Sequence, residues 1–258
     1  MRNNLQPLIV GTGNVAFSLA SALHVSGLVF QVHGRNNDRL QLFRSEFGVS
    51  CTSSIEMLDQ VELAIVCVKD DAIEALGAQL AAKAKIVCHT SGAVPLVSSF
   101  GNHSSVFYPF QTFSGNRIKS FNEIPIFIES KSTAAKALLF ELAKHLNAHP
   151  KEMTADVRQV LHIAGVFANN FTTVLIEEAK QLLNSQNISV DTLLPLLKET
   201  VSKSVEMNLE SALTGPAKRR DMGTINQHMD HLENKPELSE LYKVLTHYIL
   251  NKTEKTDD

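Results

Sequence analysis

The chain has 258 residues, 44% of them hydrophobic and 20% charged, a balance that suits a soluble globular protein of one large or two modest domains. A formal net charge of −3 and a pI of about 6.4 exclude a global basic field, so no nucleic-acid partner is expected. The three cysteines, Cys51, Cys67 and Cys88, are an odd number, and two lie in apolar runs, which argues against a disulfide framework and for a reducing cytoplasm.

The N-terminal "MRNNLQPLIVG" carries too short an apolar run for a signal peptide. No stretch reads as the roughly 18 apolar residues of a membrane span, so no membrane partner is expected either. "PLIV" (7–10) reads as a buried strand, and Asn14 to His24 as a helix with apolar positions at Val15, Leu19 and Leu23. "VFQVHGR" (29–35) is a second strand. "DRLQLFRSEFG" (38–48) is a helix with Asp38 as N-cap and Gly48 as its stop. "LAIVCV" (63–68), "KIVCHT" (85–90) and "SVFYPF" (105–110) are further strands. The first two are too uniformly apolar to be half-exposed, as in a parallel sheet covered on both faces. "DDAIEALGAQLAAK" (70–83) is the helix between them, with Asp70 as its cap. "PIFIE" (125–129) and "STAAKALLFELAKHLN" (132–147) add one more strand–helix pair. This alternation predicts a doubly wound α/β domain of the Rossmann type.

Near Pro150 the pattern changes. The proline-free run 155–187 keeps an apolar stripe at Val157, Leu161, Ala164, Ala168, Phe171, Leu175 and Leu182. It is far longer than the usual globular helix of about 11–12 residues. Segments 190–208 and 236–250 read as further helices, and the polar tail "NKTEKTDD" as a frayed end. The expected division is a nucleotide-binding domain over 1–152 and an all-α domain over 153–258.

The stretch "LIVGTGNVAFSLA" (8–20) places Gly11 and Gly13 between the first strand and the first helix, with Ala16 where a third glycine would stand. That context is what a dinucleotide-binding turn requires. One glycine permits the tight turn, the second admits the pyrophosphate, and a small third residue lets helix and strand close up. The backbone of Gly11, Thr12, Gly13, Asn14 and Val15 is then the phosphate cradle. The second strand ends in "HGRNN", without the carboxylate that would accept from the ribose 2′-hydroxyl of NAD. Arg35, with Asn36 beside it, offers a fork of donors for a 2′-phosphate, so the expected cofactor is NADP.

The glycine turn with "GRN", then "VKDDAI", "HTSG", "FYPFQTF" and, in the helical half, "LTGPAKRRD", together resemble a family of NADP-dependent oxidoreductases of unassigned substrate. Its members pair a Rossmann domain with a helical domain of unknown function. The family is similar in architecture to pyrroline-5-carboxylate reductase, 3-hydroxyisobutyrate dehydrogenase and 6-phosphogluconate dehydrogenase. The resemblance covers essentially the whole chain and implies fold and cofactor, not substrate. The 3-hydroxyacid dehydrogenases carry a catalytic lysine on the long helix. The corresponding stretch here, "RQVLHIAGVFANNF", has none, and its noted polar residues are His162, Asn169 and Asn170.

His162 and Asn169 fall on one helix face, two turns apart. In relatives that helix lines the cleft under the nicotinamide, so His162 is a candidate proton donor to a carbonyl or imine. The competing reading is a satisfied core histidine. Thr90 and Ser91 end a strand at the sheet's carboxyl edge, where they would meet the nicotinamide carboxamide or the substrate. Ser91-Gly92 as a plain turn is the alternative. Val68 and Lys69 are placed near the adenosine half, and Gln111 and Thr112 near substrate; Tyr108 and Pro109 read as turn packing. Arg219 and Asp221 form a candidate anion site for a substrate carboxylate, or else a solvated charge cluster. No metal-ligand spacing is present.

Two functions remain open at this stage. One is an oxidoreductase passing hydride to or from a small carbonyl, imine or hydroxyl substrate. The other is a non-catalytic NADP(H)-binding or sensing protein. Reduction of NADP by a deazaflavin would require a wide apolar cleft. The long apolar helix also predicts a homodimer through the C-terminal half.

Overall fold

The computed structural model describes residues 5–115, 120–122 and 124–253. The N-terminal leader reading and the end of the polar tail fall partly outside these residues. By contacts the chain divides into two units, one through Asn170 and one from Phe171 onward.

The first unit is built on one eight-stranded sheet. In chain order its elements are β1 (Leu8–Val10), α1 (Asn14–Val25), β2 (Gln31–His33), α2 (Asn37–Phe47), β3 (Ser50–Thr52), β4 (Val61–Val66), α3 (Asp70–Ile73), α4 (Gly77–Ala81), β5 (Ala84–His89), β6 (Ser105–Pro109), β7 (Pro125–Ser130), α5 (Thr133–His145), β8 (His149–Glu152) and α6 (Ala155–Gly165). The strand order is β3-β2-β1-β4-β5-β6-β7-β8. Every pairing is parallel except β6 with β7, which is antiparallel, with Phe107 opposite Ile128. This is the doubly wound Rossmann sheet that the alternation predicts, with one reversed step.

Alternate residues of the central strands feed cores on both faces. Ile9, Val32, Leu63 and Ile65 join α1, α2 and α5 in one cluster. Leu8, Val10, Ala64, Val66 and Val87 join Ile73 and Leu80 in the other. Each fully buried aliphatic side chain contributes roughly 1.5–3 kcal/mol.

Several local expectations are corrected. The side chain that caps α2 is Asn36, which accepts from the Arg39 amide; Asp38 lies inside the first turn, where its charge favours the helix dipole. Gly48 does end that helix in a left-handed conformation. Asp70 opens α3 without capping it, because the preceding Lys69 holds the N-cap position. The run 70–83 is not one helix: a 3-10 turn at Glu74–Leu76 separates α3 from α4. Strands β3 and β8 were not expected from the sequence. Both are short and polar and lie at the two sheet edges, where half the residues face water.

The long helix is also not uniform. Between α6 and α7 (Thr172–Asn184), residues Val166–Phe171 form a π-helical segment. By length and composition the whole run Ala155–Asn184, 30 residues with an 18-residue window of mean hydropathy 1.3, is long and apolar enough to cross a membrane. This corrects the expectation of no such stretch: Asn169, Asn170, Thr172 and Thr173 interrupt the apolar residues without lowering the average below that of a span. One such helix is weak evidence for a membrane, since an interface or core helix has the same composition.

The second unit continues with α7, a 3-10 turn at Val190–Leu193, α8 (Leu194–Glu206), α9 (Leu209–Ala212), α10 (Met222–His231) and α11 (Pro236–Thr253). The last helix runs into the segment read as a frayed tail. Ile225 and Leu232 are buried, while Leu196, Val201 and Val205 of α8 are exposed.

Candidate active site

The strand order reverses around β1, which has β2 on one side and β4 on the other; an open α/β sheet binds its ligand at such a point. The turn after β1 is shaped for close approach. Gly11 has a φ of 118°, and a Cβ there would fall 2.3 Å from the Cys67 carbonyl oxygen. Its amide donates to the His33 carbonyl at 2.8 Å and so ties the turn to the end of β2. Gly13 stands at the N-cap of α1 and offers no side-chain cap, which leaves the first amides of the helix to an incoming ligand. A Cβ at Gly13 would meet nothing within 4 Å, so open space lies over those amides. Ala16 is fully buried against the sheet. Thr12, Asn14 and Val15 complete the turn, and Asn14 Nδ2 donates to the Phe113 carbonyl at 3.2 Å. A pyrophosphate fits this cradle.

At the end of β2, Arg35 is exposed beside the turn. Asn36, expected at the cofactor, has its side-chain oxygen engaged in capping α2. Arg39 also reaches the turn, although nothing in its local sequence marks it. Its Nε donates to the Thr12 carbonyl at 3.0 Å, and its guanidinium carbon lies 5.8 Å from the Phe17 ring centre. The Arg39 guanidinium is therefore fixed at the glycine turn, while Arg35 follows Gly34, whose Cβ would fall 2.5 Å from Thr12 Cγ2. Val68 lies against Gly11, with its Cγ1 3.2 Å from the position of a Gly11 Cβ, and Lys69 is exposed next to it.

The loop leaving β5 is strongly held. His89 is fully buried, accepts at Nδ1 from the Ser91 amide (3.3 Å) and donates from Nε2 to the Pro95 carbonyl (3.1 Å). Accepting at Nδ1 requires the neutral ring, and burial pushes its pKa down to about 4. Thr90 Oγ1 donates to the Val66 carbonyl, and Ser91 Oγ accepts from the amides of Ala93 and Val94, each at 3.1 Å. Ser91 thus does turn the chain; its hydroxyl proton stays free to donate elsewhere.

Gly92 is the contact point with the helix. A Cβ there would fall 2.6 Å from His162 Nδ1 and 2.6 Å from Tyr108 Cζ. The loop backbone therefore rests directly on a pair, Tyr108 Oη and His162 Nδ1, that are 3.2 Å apart. Burial raises the Tyr108 pKa, with Arg158 opposing, so the phenol keeps its proton and can donate to Nδ1. Tyr108 is more than turn packing.

Both side chains line a cavity of about 310 Å³ with Phe110, Gln111, Thr112, Asn169 and Asn170. The π-helical segment makes that wall: Val166, Ala168, Asn169 and Asn170 all reach the cavity, more consecutive residues than one face of a regular α-helix presents. Asn169 Nδ2 donates to Asn170 Oδ1 at 3.1 Å, and the Gln111 side chain accepts from the Thr112 amide. His162 and Asn169 thus share the cavity as the helical spacing predicts. Tyr108, Arg39 and Arg158 were missed. The signal for Arg158 is an arginine one turn before His162 on the same helix.

Arg219 and Asp221 belong to the second unit. Asp221 caps α10 through the Thr224 amide (3.0 Å) and hydroxyl (2.7 Å), and the Thr224 amide bond is the main cause of its lowered pKa. Arg219 is exposed. Among the described residues no group of three or more His, Cys, Asp or Glu side chains is placed to hold a metal ion.

Two family models match: "NADP oxidoreductase coenzyme F420-dependent" over residues 8–91, and a domain of unknown function, DUF2520, over residues 124–249. A candidate NADP oxidoreductase from Bacteroides fragilis is 32% identical over 96% of this chain and 98% of its own, with a TM-score of 0.89. This chain belongs to that family of NADP oxidoreductases. Its cofactor is NADP, and the turn at Gly11–Val15 fits it. Two more distant structures share the fold: an imine reductase from Myxococcus stipitatus in complex with NADP+ (13% identity, 97% of this chain and 95% of that one, TM-score 0.70) and a 1-pyrroline-5-carboxylate reductase from Streptococcus pyogenes (16%, 97% and 98%, 0.61). No curated protein sequence matches the chain.

Proposed function

We propose that this oxidoreductase transfers hydride to or from a small carbonyl, imine or hydroxyl substrate bound in the Tyr108–His162 cavity. The observation that supports this reading is the seat of Gly92, next to Thr90 and Ser91, on the hydrogen-bonded Tyr108–His162 pair. When bound, NADP supplies or accepts the hydride. The amides of Gly11, Thr12, Gly13, Asn14 and Val15 hold the pyrophosphate, Arg35 and Arg39 hold the 2′-phosphate, and Val68 and Lys69 border the adenosine half. Thr90 and Ser91 orient the nicotinamide amide. With Tyr108 donating to Nδ1, the donor nitrogen of His162 is Nε2: as its proton passes to the substrate oxygen or nitrogen, the phenol proton of Tyr108 moves onto Nδ1, so the ring stays uncharged and the negative charge is left on the Tyr108 oxygen. Asn169, Gln111 and Thr112 position the substrate by hydrogen bonds. Arg219 offers a further cation for a substrate carboxylate; the carboxylate of Asp221 is already committed to its helix. The protein acts as a homodimer through its helical half.

A screen of NADPH oxidation against oxo acids, imines and aldehydes tests the enzyme reading, and binding without turnover of any member would leave a sensor. With a substrate in hand, His162→Ala is expected to lower turnover about 10²–10⁴-fold while NADPH affinity holds. Retained turnover would return His162 to a packing role.

A further inference from the structure

Arg158, on α6, is 1% exposed. Its Nη1 reaches the carbonyls of Ser91 (3.3 Å), Gly92 (3.1 Å) and Val94 (2.7 Å), and its Nη2 donates to Glu129 Oε2 on β7 at 2.9 Å. Its Nε has no hydrogen-bond partner although buried. A buried arginine with an orphan donor is costly, because the unsatisfied donor has lost its water and the ion pair must also offset desolvation. A well-packed aliphatic side chain would hold helix to sheet without that cost. What the arginine alone provides is a planar fork that gathers successive carbonyls of one loop and fixes them to one helical turn.

That turn is the one before His162, and the loop is the one whose Gly92 rests on the Tyr108–His162 pair. One guanidinium therefore sets the distance between the loop carrying Thr90 and Ser91 and the helix carrying His162. Glu129 holds the guanidinium from the sheet side, so that loop, helix and β7 share one fixed point.

We propose that Arg158 is a positioning residue: through the Ser91–Val94 carbonyls it holds Gly92 against Tyr108 and His162, and so fixes the hydrogen bond and tautomer of His162. The inference rests on the proton-transfer reading of His162 for its catalytic consequence, but the positioning itself is measurable without turnover.

The test uses the full chain and two variants, Arg158→Lys, which keeps the charge and loses the fork, and Gly92→Ala, which leaves Arg158 intact and inserts a methyl where His162 and Tyr108 sit. The readouts are the ring ¹⁵N shifts of His162 at a pH where imidazole is neutral, and the thermal midpoint. The proposal expects both variants to change the His162 tautomer signature. Turnover, once a substrate is known, should fall by up to about 10²-fold with little change in KM, the cost of a small misplacement. A folded Arg158→Lys protein with lowered thermal midpoint and unchanged His162 shifts would overturn it and leave Arg158 as a structural tie. If Arg158→Lys does not fold, Glu129→Gln, which keeps the side chain's shape and removes its charge, is read the same way. Altered His162 shifts with full turnover would keep the positioning and refute the catalytic reading of His162 instead.

Discussion

Arg35 shows what one side chain can and cannot reveal. The role proposed for it rests on what its neighbours lack: no carboxylate follows β2, and a guanidinium stands in its place. The partner guanidinium of Arg39 was not legible, since it lies inside α2 and reaches the turn only through a bond to the Thr12 carbonyl formed in the folded chain. Tyr108 and Arg158 were hidden for the same reason; their partners, His162 and the Ser91–Val94 loop, are more than fifty residues away in sequence. Arg35→Asp tests the cofactor contact. The change removes a charge-assisted contact and adds a carboxylate facing the 2′-phosphate. NADPH affinity should fall at least about tenfold, while NADH binding holds or improves because aspartate accepts from a free 2′-hydroxyl. Since Arg35 is exposed, high salt should also shrink the wild-type preference. Calorimetric titration of both nucleotides into both proteins decides it, and an unchanged preference in the variant would shift the 2′-phosphate to Arg39 alone.

At the scale of elements, the apolar central strands β1, β4 and β5 could be read directly, because both faces are buried and nearly every residue is apolar. The edge strands could not: "HPKE" of β8 carries a proline and two charges that an edge tolerates and a local pattern reads as loop. The antiparallel direction of β7 is set by the return of the chain after β6, which no residue periodicity records. The π-helical segment was equally silent, though it decides which amides face the cavity. The carboxyl end of β5 yields a measurable consequence. His89 has a folded-state pKa of about 4 against its ordinary 6.5. The folded state thus binds fewer protons than the unfolded chain between those values. Stability from this group is complete above about pH 6.5, declines as pH falls toward 4 and is lost below it. The decline is at most about 1.4 kcal/mol per pH unit, on the order of 3 kcal/mol in all. His33, whose pKa burial also lowers, acts with the same sign. Urea unfolding across this range should show the decline, and His89→Asn, which does not titrate there, should flatten part of it. Parallel curves for the two proteins would mean that His89 is protonated without cost.

For the whole molecule, the sequence showed a Rossmann sheet followed by helices, and contacts and family models agree on two parts while dividing the chain at different residues. What the sequence stripe could not show is that the helices leave their apolar residues uncovered in the single chain. Val160 is 68% exposed, Phe167 63%, Leu196 62% and Val205 83%. Large apolar side chains left exposed in such number along helices mark a candidate interface. A second copy is the partner we propose, because the apolar residues lie along helices that can pair with their own symmetry mates, as closed two-fold assemblies do. Light scattering at micromolar concentration should return about twice the 28.4 kDa of one chain. Val205→Glu and Val160→Glu each replace an exposed apolar side chain by a charge, and each should drive the mass toward the monomer. NADPH binding should survive both, since the glycine turn lies in the first unit and neither residue touches it. A wild-type mass of one chain would refute the dimer, and recovery of the protein with membranes would assign the same apolar run to a lipid surface, which its composition also permits.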